Sequence, residues 1–218
     1  MRKLVVDKVA TTKLIAIVRG IAQPQLCLQV VQAIYDGGID LIEVTFDQSN
    51  PQSFGQTAET IAAICQHFGD KICAGAGTVL TLEQTAMAAQ AGAKYIISPN
   101  ADTKVIHKTR ELGLVSIPGV LTPNEITAAL DAGADFAKLF PAGLFGPEYI
   151  KALKAPLSHV KMLAVGGIDA GNIPKFIAAG CDGFGIGGNL VNKEWAKAGQ
   201  FDKITQVARQ LCAAVKQG

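Results

Sequence analysis

The sequence has no run of about 18 consecutive apolar residues, so no segment is expected to cross a membrane as a helix. Neither sign of charge is in excess. Twenty Lys and Arg stand against 18 Asp and Glu, a formal net charge of +2. That balance gives no electrostatic case for nucleic acid or an anionic membrane as a partner, and leaves room for a small anion site. Histidine is scarce at three residues, and the five cysteines form an odd set with no pair at metal-ligand spacing. Cys65 and Cys73 are too far apart for a C-x-x-C, so no metal site is expected. The thiols read as small apolar side chains of a reduced, cytoplasmic protein. The first 13 residues carry Arg2, Lys3, Asp7 and Lys8 and no secretory pattern. Aromatic residues are few, at 6%, and the single Trp195 is expected to pack the last helices. Only 17% of residues are charged and 49% are hydrophobic, which excludes a disordered chain. Surface scaling for this length gives a folded area of roughly 9,600 Å², about 70% of the extended chain's surface being buried.

What the chain does contain is a repeat. Eight short apolar runs begin 20 to 31 residues apart: Leu14–Arg19, Leu41–Phe46, Ile72–Ala76, Tyr95–Pro99, Val115–Gly119, Phe136–Pro141, Lys161–Gly167 and Gly183–Gly188. Near-continuous apolar strands belong to parallel sheets buried on both faces. Between them, 24–35, 82–91, 123–132 and 172–179 place apolar residues at helical spacing. Ser49-Asn50-Pro51, Thr122-Pro123-Asn124-Glu125 and Gly146-Pro147 are helix-start signals. DGGID (36–40), QAGAK (90–94), DAGAD (131–135), AAGCD (178–182) and the looser ELGLV (111–115) are stop signals, each offering a glycine for the left-handed helix end. With no linker or shift in composition, residues 1–218 are expected to form a single domain, an α/β (β/α)₈ barrel. Residues before Lys13 would form an extra helix across its bottom. Chemistry in such barrels sits at the C-terminal ends of the strands.

Four features fall there. Lys138 lies inside an apolar run, sharing a face with Phe136 and Phe140. Buried inside the barrel, its amine would lose its proton readily and could form a Schiff base; at the rim it would merely snorkel. Glu43 shares a face with Leu41 and Thr45. It sits on the second run and Lys138 on the sixth, which oppose each other across the axis, so the pair would act together or form a buried ion pair. Gly166-Gly167 and Gly187-Gly188 end the seventh and eighth runs, where this fold holds phosphate, and Asn189 follows to donate to an anion or cap a helix. Glycines used only for turn geometry are the plainer alternative. Arg19 ends the first run and could clamp a carboxylate or form a surface salt bridge. Thr78 could add a hydroxyl, and the Gly75–Gly77 turn a backbone N–H; Thr78 is equally placed to cap a helix. His67, His107 and His159 fall away from the strand ends, and GIGG at 185–188 is out of place for a dinucleotide site.

IEVTF, GAGTV, YIISPN, SIPGVLTPNE, KLFPA, VGGI and IGGNLV together resemble the 2-keto-3-deoxy-6-phosphogluconate (KDPG) and 4-hydroxy-2-oxoglutarate (KHG) aldolase family, from Arg19 to Val191. The resemblance implies a homotrimeric class I aldolase that needs no metal or cofactor. It would carry its substrate as an imine on Lys138, with Glu43 as general acid/base. It places Thr78, Pro99 and Phe140 around pyruvate, and Gly166, Gly167, Gly188 and Asn189 at a phosphate. The partner it implies is a small keto acid, expected to be phosphorylated. Where some members carry arginine four residues after the glutamate, this chain has Asp47, leaving carboxylate binding to Arg19. Where some have threonine before the first glycine pair, it has Val165, as in relatives acting on the galactonate epimer; the serine usual after the second pair is Asn189. KDPG or 4-hydroxy-2-oxoglutarate is the first expectation, with 2-keto-3-deoxy-6-phosphogalactonate the alternative. A phosphosugar isomerase or epimerase using Lys138 only as a charge, or a barrel that binds metabolites without turning them over, are the rival readings.

Overall fold

Parallel strands need a crossover between them, and the recurring apolar run and helix supply it. The structure, a computed structural model that describes residues 2–21 and 23–218, rolls these units into one nearly closed parallel barrel. The strands are β1 (Leu14–Val18), β2 (Leu41–Thr45), β3 (Cys73–Gly77), β4 (Tyr95–Ile97), β5 (Val115–Ile117), β6 (Gly119–Val120), β7 (Ala137–Leu139), β8 (Met162–Val165) and β9 (Gly183–Ile186). The helices are α1 (Arg2–Thr12), α2 (Pro24–Asp36), α3 (Phe54–Phe68), α4 (Leu82–Gln90), α5 (Thr103–Glu111), α6 (Pro123–Asp131), α7 (Ala142–Lys154), α8 (Ile173–Ala178), α9 (Lys193–Lys197) and α10 (Phe201–Gln217).

Nine strands arise from eight runs because the fifth is interrupted at Pro118, which has no N–H to give to a ladder. Below the break, β5 pairs with β4; above it, β6 pairs with β7. The Lys138 N–H donates to the Pro118 carbonyl at 2.9 Å. One broken strand thus bridges the two ends of the sheet and closes the ring.

Two apolar layers hold the barrel. The larger lies between the strands and the surrounding helices. The smaller fills the lower interior with Ile15, Leu41, Tyr95 and Phe136, and α1 seals it from below with Val5 and Val9. Arg2 pairs with Asp135, and Lys8 with Asp40 at 2.9 Å, so charge as well as apolar contact fixes this plug. The opposite end stays open. No described helix is long and apolar enough to cross a membrane.

The repeated stop signals do what their spacing implies. Gly38, Gly92, Gly113, Gly133 and Gly180 all have φ between 73° and 99°, a region that a Cβ disfavours. Thr122 and Glu125 form a reciprocal capping box at the start of α6. Pro147 opens the second part of α7, after the helix is interrupted at Gly146 (φ 76°, ψ 174°). Trp195 is partly buried on α9, with the Lys203 ammonium 5.5 Å from the ring centroid.

Candidate active site

Alternation along each strand aims every second side chain into the barrel. At the upper rim these side chains and the loops above them line a cleft of about 460 Å³. Arg19, Glu43, Thr78, Pro99, Lys138, Phe140, Gly166, Gly167, Gly188 and Asn189 all border it, joined by Val165 and Gly187. The tertiary fold therefore gathers into one cavity the two residues expected to be catalytic and the eight expected to bind substrate.

Lys138 is only 6% exposed and Glu43 only 1%, so both belong to the interior and neither snorkels to water. Burial pushes the Lys138 ammonium pKa down; the Glu43 charge opposes this and Arg19 adds to it. Burial pushes the Glu43 carboxyl up, against the pull of Lys138 and Arg19. The two do not form a tight structural ion pair among the described residues. The Lys138 Nζ instead donates to the Ser98 carbonyl at 3.3 Å and lies 5.0 Å from the Phe140 ring centroid. Glu43 Oε2 is buried without a protein partner among the described residues. An amine shifted towards its neutral form can add to a carbonyl, and a carboxyl shifted upwards can pass a proton.

Gly75 and Gly77 have a different use from the expected turn. Both lie within β3, facing inward. A Cβ on Gly77 would overlap the Glu43 carboxylate, and a Cβ on Gly75 the Tyr95 ring. The signal was present in the sequence as glycines two apart in a strand, where a close approach is the usual reason. Tyr95 carries no such signal in the sequence: it is fully buried against Gly75, and its hydroxyl has no partner among the described residues. We expect Gly77→Ala to be relieved by swinging the flexible Glu43 side chain. It should lower activity at least tenfold with only about 1–2 kcal/mol of lost stability. Gly75→Ala meets a rigid ring and should unfold at markedly lower temperature. Thermal melts and turnover on the two variants check this; full activity in Gly77→Ala would contradict it.

The rim residues settle several alternatives. Arg19 forms no ion pair among the described residues, and its guanidinium donates to Thr78 Oγ1 at 3.2 Å. Thr78 is not the helix cap: that is Thr81, whose hydroxyl accepts from the Gln84 N–H, and Thr78 has φ 56°. Asp47 lies outside the cleft, accepting from the Ser49 N–H at 3.0 Å and hydroxyl at 2.7 Å, which holds its carboxyl below the usual range. Asn189 caps no helix. It sits in a turn and donates to the Ile168 carbonyl at 2.8 Å, while Asn192 caps α9.

In that turn the Gly187 carbonyl accepts from Leu190 and Val191, each at 2.9 Å. The N–H groups of Gly167, Gly188 and Asn189 donate to no backbone carbonyl among the described residues. Gly166 (φ 89°) and Gly167 (φ 74°) are both left-handed, and a Cβ on Gly188 would meet nothing within 4 Å. These backbone groups border an open corner of the cleft, where they could serve as an anion-binding nest. Among the described residues no three His, Cys, Asp or Glu side chains gather as metal ligands do. The cysteines are free, with Cys27 pushed up by burial to about 12.

The family model for KDPG and KHG aldolase matches residues 5–207. The 2-dehydro-3-deoxy-6-phosphogalactonate aldolase of Escherichia coli is 41% identical over 204 residues, covering 93% of each chain. A solved structure described as native KDPGal superposes with a TM-score of 0.83 at 39% identity, covering 94% of each chain. The KDPG aldolase of Legionella pneumophila superposes equally well (TM-score 0.83, 26% identity, 93% of this chain and 95% of that one). Its structure holds pyruvate captured as a covalent carbinolamine. A barrel with a lysine and a carboxylate buried at its mouth, and with these relatives, is an aldolase, a carbon–carbon lyase. The chain belongs to the KDPG/KHG aldolase family.

Proposed function

We propose that this protein cleaves a 2-keto-3-deoxy-6-phospho sugar acid to pyruvate and a three-carbon phosphorylated aldehyde through an imine on Lys138. The observation that carries the reading is the pairing, in one cleft, of a buried lysine of lowered pKa with a buried carboxyl of raised pKa. The carbinolamine in the Legionella pneumophila relative supports the covalent route.

The neutral Lys138 amine adds to the C2 ketone, and loss of water gives the imine. Arg19 and the Thr78 turn hold the carboxylate. Glu43 takes the proton from the C4 hydroxyl as the C3–C4 bond breaks. The bonding electrons pass into the protonated imine, an aldehyde leaves, and the enamine regains a proton at C3. Water then releases pyruvate and restores the amine. Pro99 and Phe140 wall the pyruvate end of the cleft.

The galactonate epimer moves ahead of the gluconate one. Val165 stands where a threonine would offer a hydroxyl, and the 41% identical Escherichia coli relative is named for the phosphogalactonate substrate. Parallel kcat/KM measurements on both epimers and on 4-hydroxy-2-oxoglutarate test this. Equal rates on the two epimers would remove the preference.

The nest around Gly166, Gly167, Gly188 and Asn189 is assigned to the phosphate. Binding energy gathered there is available at the reacting carbons, so phosphorylated substrates should have much the higher kcat/KM. Gly188→Asp would put a carboxylate in the open space of the nest. It should damage turnover of the phosphorylated substrate by roughly 10²-fold or more, and that of 4-hydroxy-2-oxoglutarate far less. Equal losses on both would mean that Gly188 serves only the turn.

A further inference from the structure

Thr78 is held in a left-handed conformation, φ 56°, that a β-branched residue rarely adopts. Something must hold it there, and the loop's own hydrogen bonds show what does. Gln84, on α4, is 1% exposed. Its Oε1 accepts from the Leu80 N–H at 2.7 Å, and its Nε2 donates to Gln48 Oε1 at 3.1 Å. The Gln48 Nε2 in turn donates to the Thr78 carbonyl at 2.6 Å. Beyond it, Thr78 Oγ1 accepts from Arg19 at 3.2 Å. An unbroken chain of polar contacts therefore runs from the buried interior under α4 to the guanidinium at the cleft mouth.

We propose that Gln48 and Gln84 are positioning residues that fix the Thr78 turn and, through it, Arg19, so that the two grip the carboxylate of a 2-keto acid. This rests on the reading of the cleft as a keto-acid aldolase site. Neither glutamine lines the cleft. Both act through the turn, and the geometry divides their tasks. Gln84 is enclosed, with both ends of its amide engaged, so it is the anchor. Gln48 lies on the loop after β2, half-buried, and clamps the carbonyl of the one strained residue. With that carbonyl pinned, the Thr78 hydroxyl stays turned to Arg19. Without it, the residue is free to relax towards negative φ, carrying the hydroxyl away and leaving Arg19 without its partner.

The test uses Gln48→Leu, which keeps bulk at a half-buried loop site and removes both hydrogen bonds. Gln48→Asn serves as the conservative variant. Trapping with borohydride reads imine formation, with pyruvate and with its methyl ester as ligands. In Gln48→Leu the pyruvate concentration for half-maximal trapping should rise about tenfold, the scale of one or two lost hydrogen bonds. The methyl ester, which lacks the charge that Arg19 grips, should shift less than twofold, and trapping at saturating pyruvate should be unchanged. Gln48→Asn should recover part of the pyruvate affinity. Gln84→Glu, which keeps the acceptor for Leu80 and loses the donor to Gln48, should show the same selective loss. Equal loss for pyruvate and ester, or no change for either while the parent protein traps pyruvate, would overturn the positioning role alone. A parent protein that traps no pyruvate at all would overturn the aldolase reading and this inference with it.

Discussion

Lys138→Arg should lose activity as completely as Lys138→Met. The guanidinium keeps the positive charge at the same place but cannot form an imine with a ketone. If the lysine serves only as a charge, as in an isomerase or a binding barrel, Arg should preserve much of the activity and Met should not. The expectation is a fall of at least about 10⁴-fold in kcat for both, the scale seen when a covalent nucleophile is removed. Borohydride with pyruvate should attach a reduced three-carbon adduct to the parent protein. Peptide mass spectrometry should place it on Lys138 and find none in either variant. Substantial turnover by Lys138→Arg, or an adduct on another lysine, would end the assignment. The pH profile should follow from burial. Because the amine's pKa is lowered by burial, the neutral form becomes available below the pH at which an exposed lysine would react. Imine formation should rise with pH through that lowered value.

Glu43→Gln should slow cleavage by roughly 10²–10⁴-fold, the usual range for a lost acid/base group, with little change in pyruvate binding. The same substitution should raise stability at neutral pH, which makes the experiment sharper. Burial raises the Glu43 pKa in the folded protein above its unfolded value. The folded state then holds the proton to higher pH, so stability falls as pH climbs from the unfolded pKa through the folded one. Glutamine has no charge to bury. Thermal melts of the two proteins should therefore converge on acidification and separate above that window, the variant being the more stable. Lys138 has the opposite slope. Its depressed pKa makes the folded state shed a proton early, so its burial costs least at the alkaline end of its window. Unimpaired turnover in Glu43→Gln would remove the proton-shuttle role. A variant less stable than the parent at neutral pH would show that the carboxylate is better satisfied than its unpartnered Oε2 implies.

Period and punctuation carried the barrel. Eight apolar runs, five glycine-ended helices and a lysine and a glutamate inside opposing runs are all local patterns. The steric rules behind them act on a few residues at a time, so a single sequence exposes them. Alternation put Glu43 and Lys138 each on one face of its strand; that this face is the inward one, opening at the mouth, was decided by the closed barrel. Other facts needed the closed fold, because they depend on what stands across a gap. Pro118 breaks one strand and still closes the ring, since the two halves find different neighbours. Gly75 and Gly77 look like a turn until Tyr95 and Glu43 are seen to occupy the space their side chains would need. Gln48 and Gln84 stand 36 residues apart and meet only because β2 and β3 are adjacent. Sequence by itself determined which residues reach the cleft, through their type and their place on a strand. Only the tertiary structure decided what holds those residues in position. A hydrogen bond or a steric clash is fixed by distance in space, which separation along the chain does not encode.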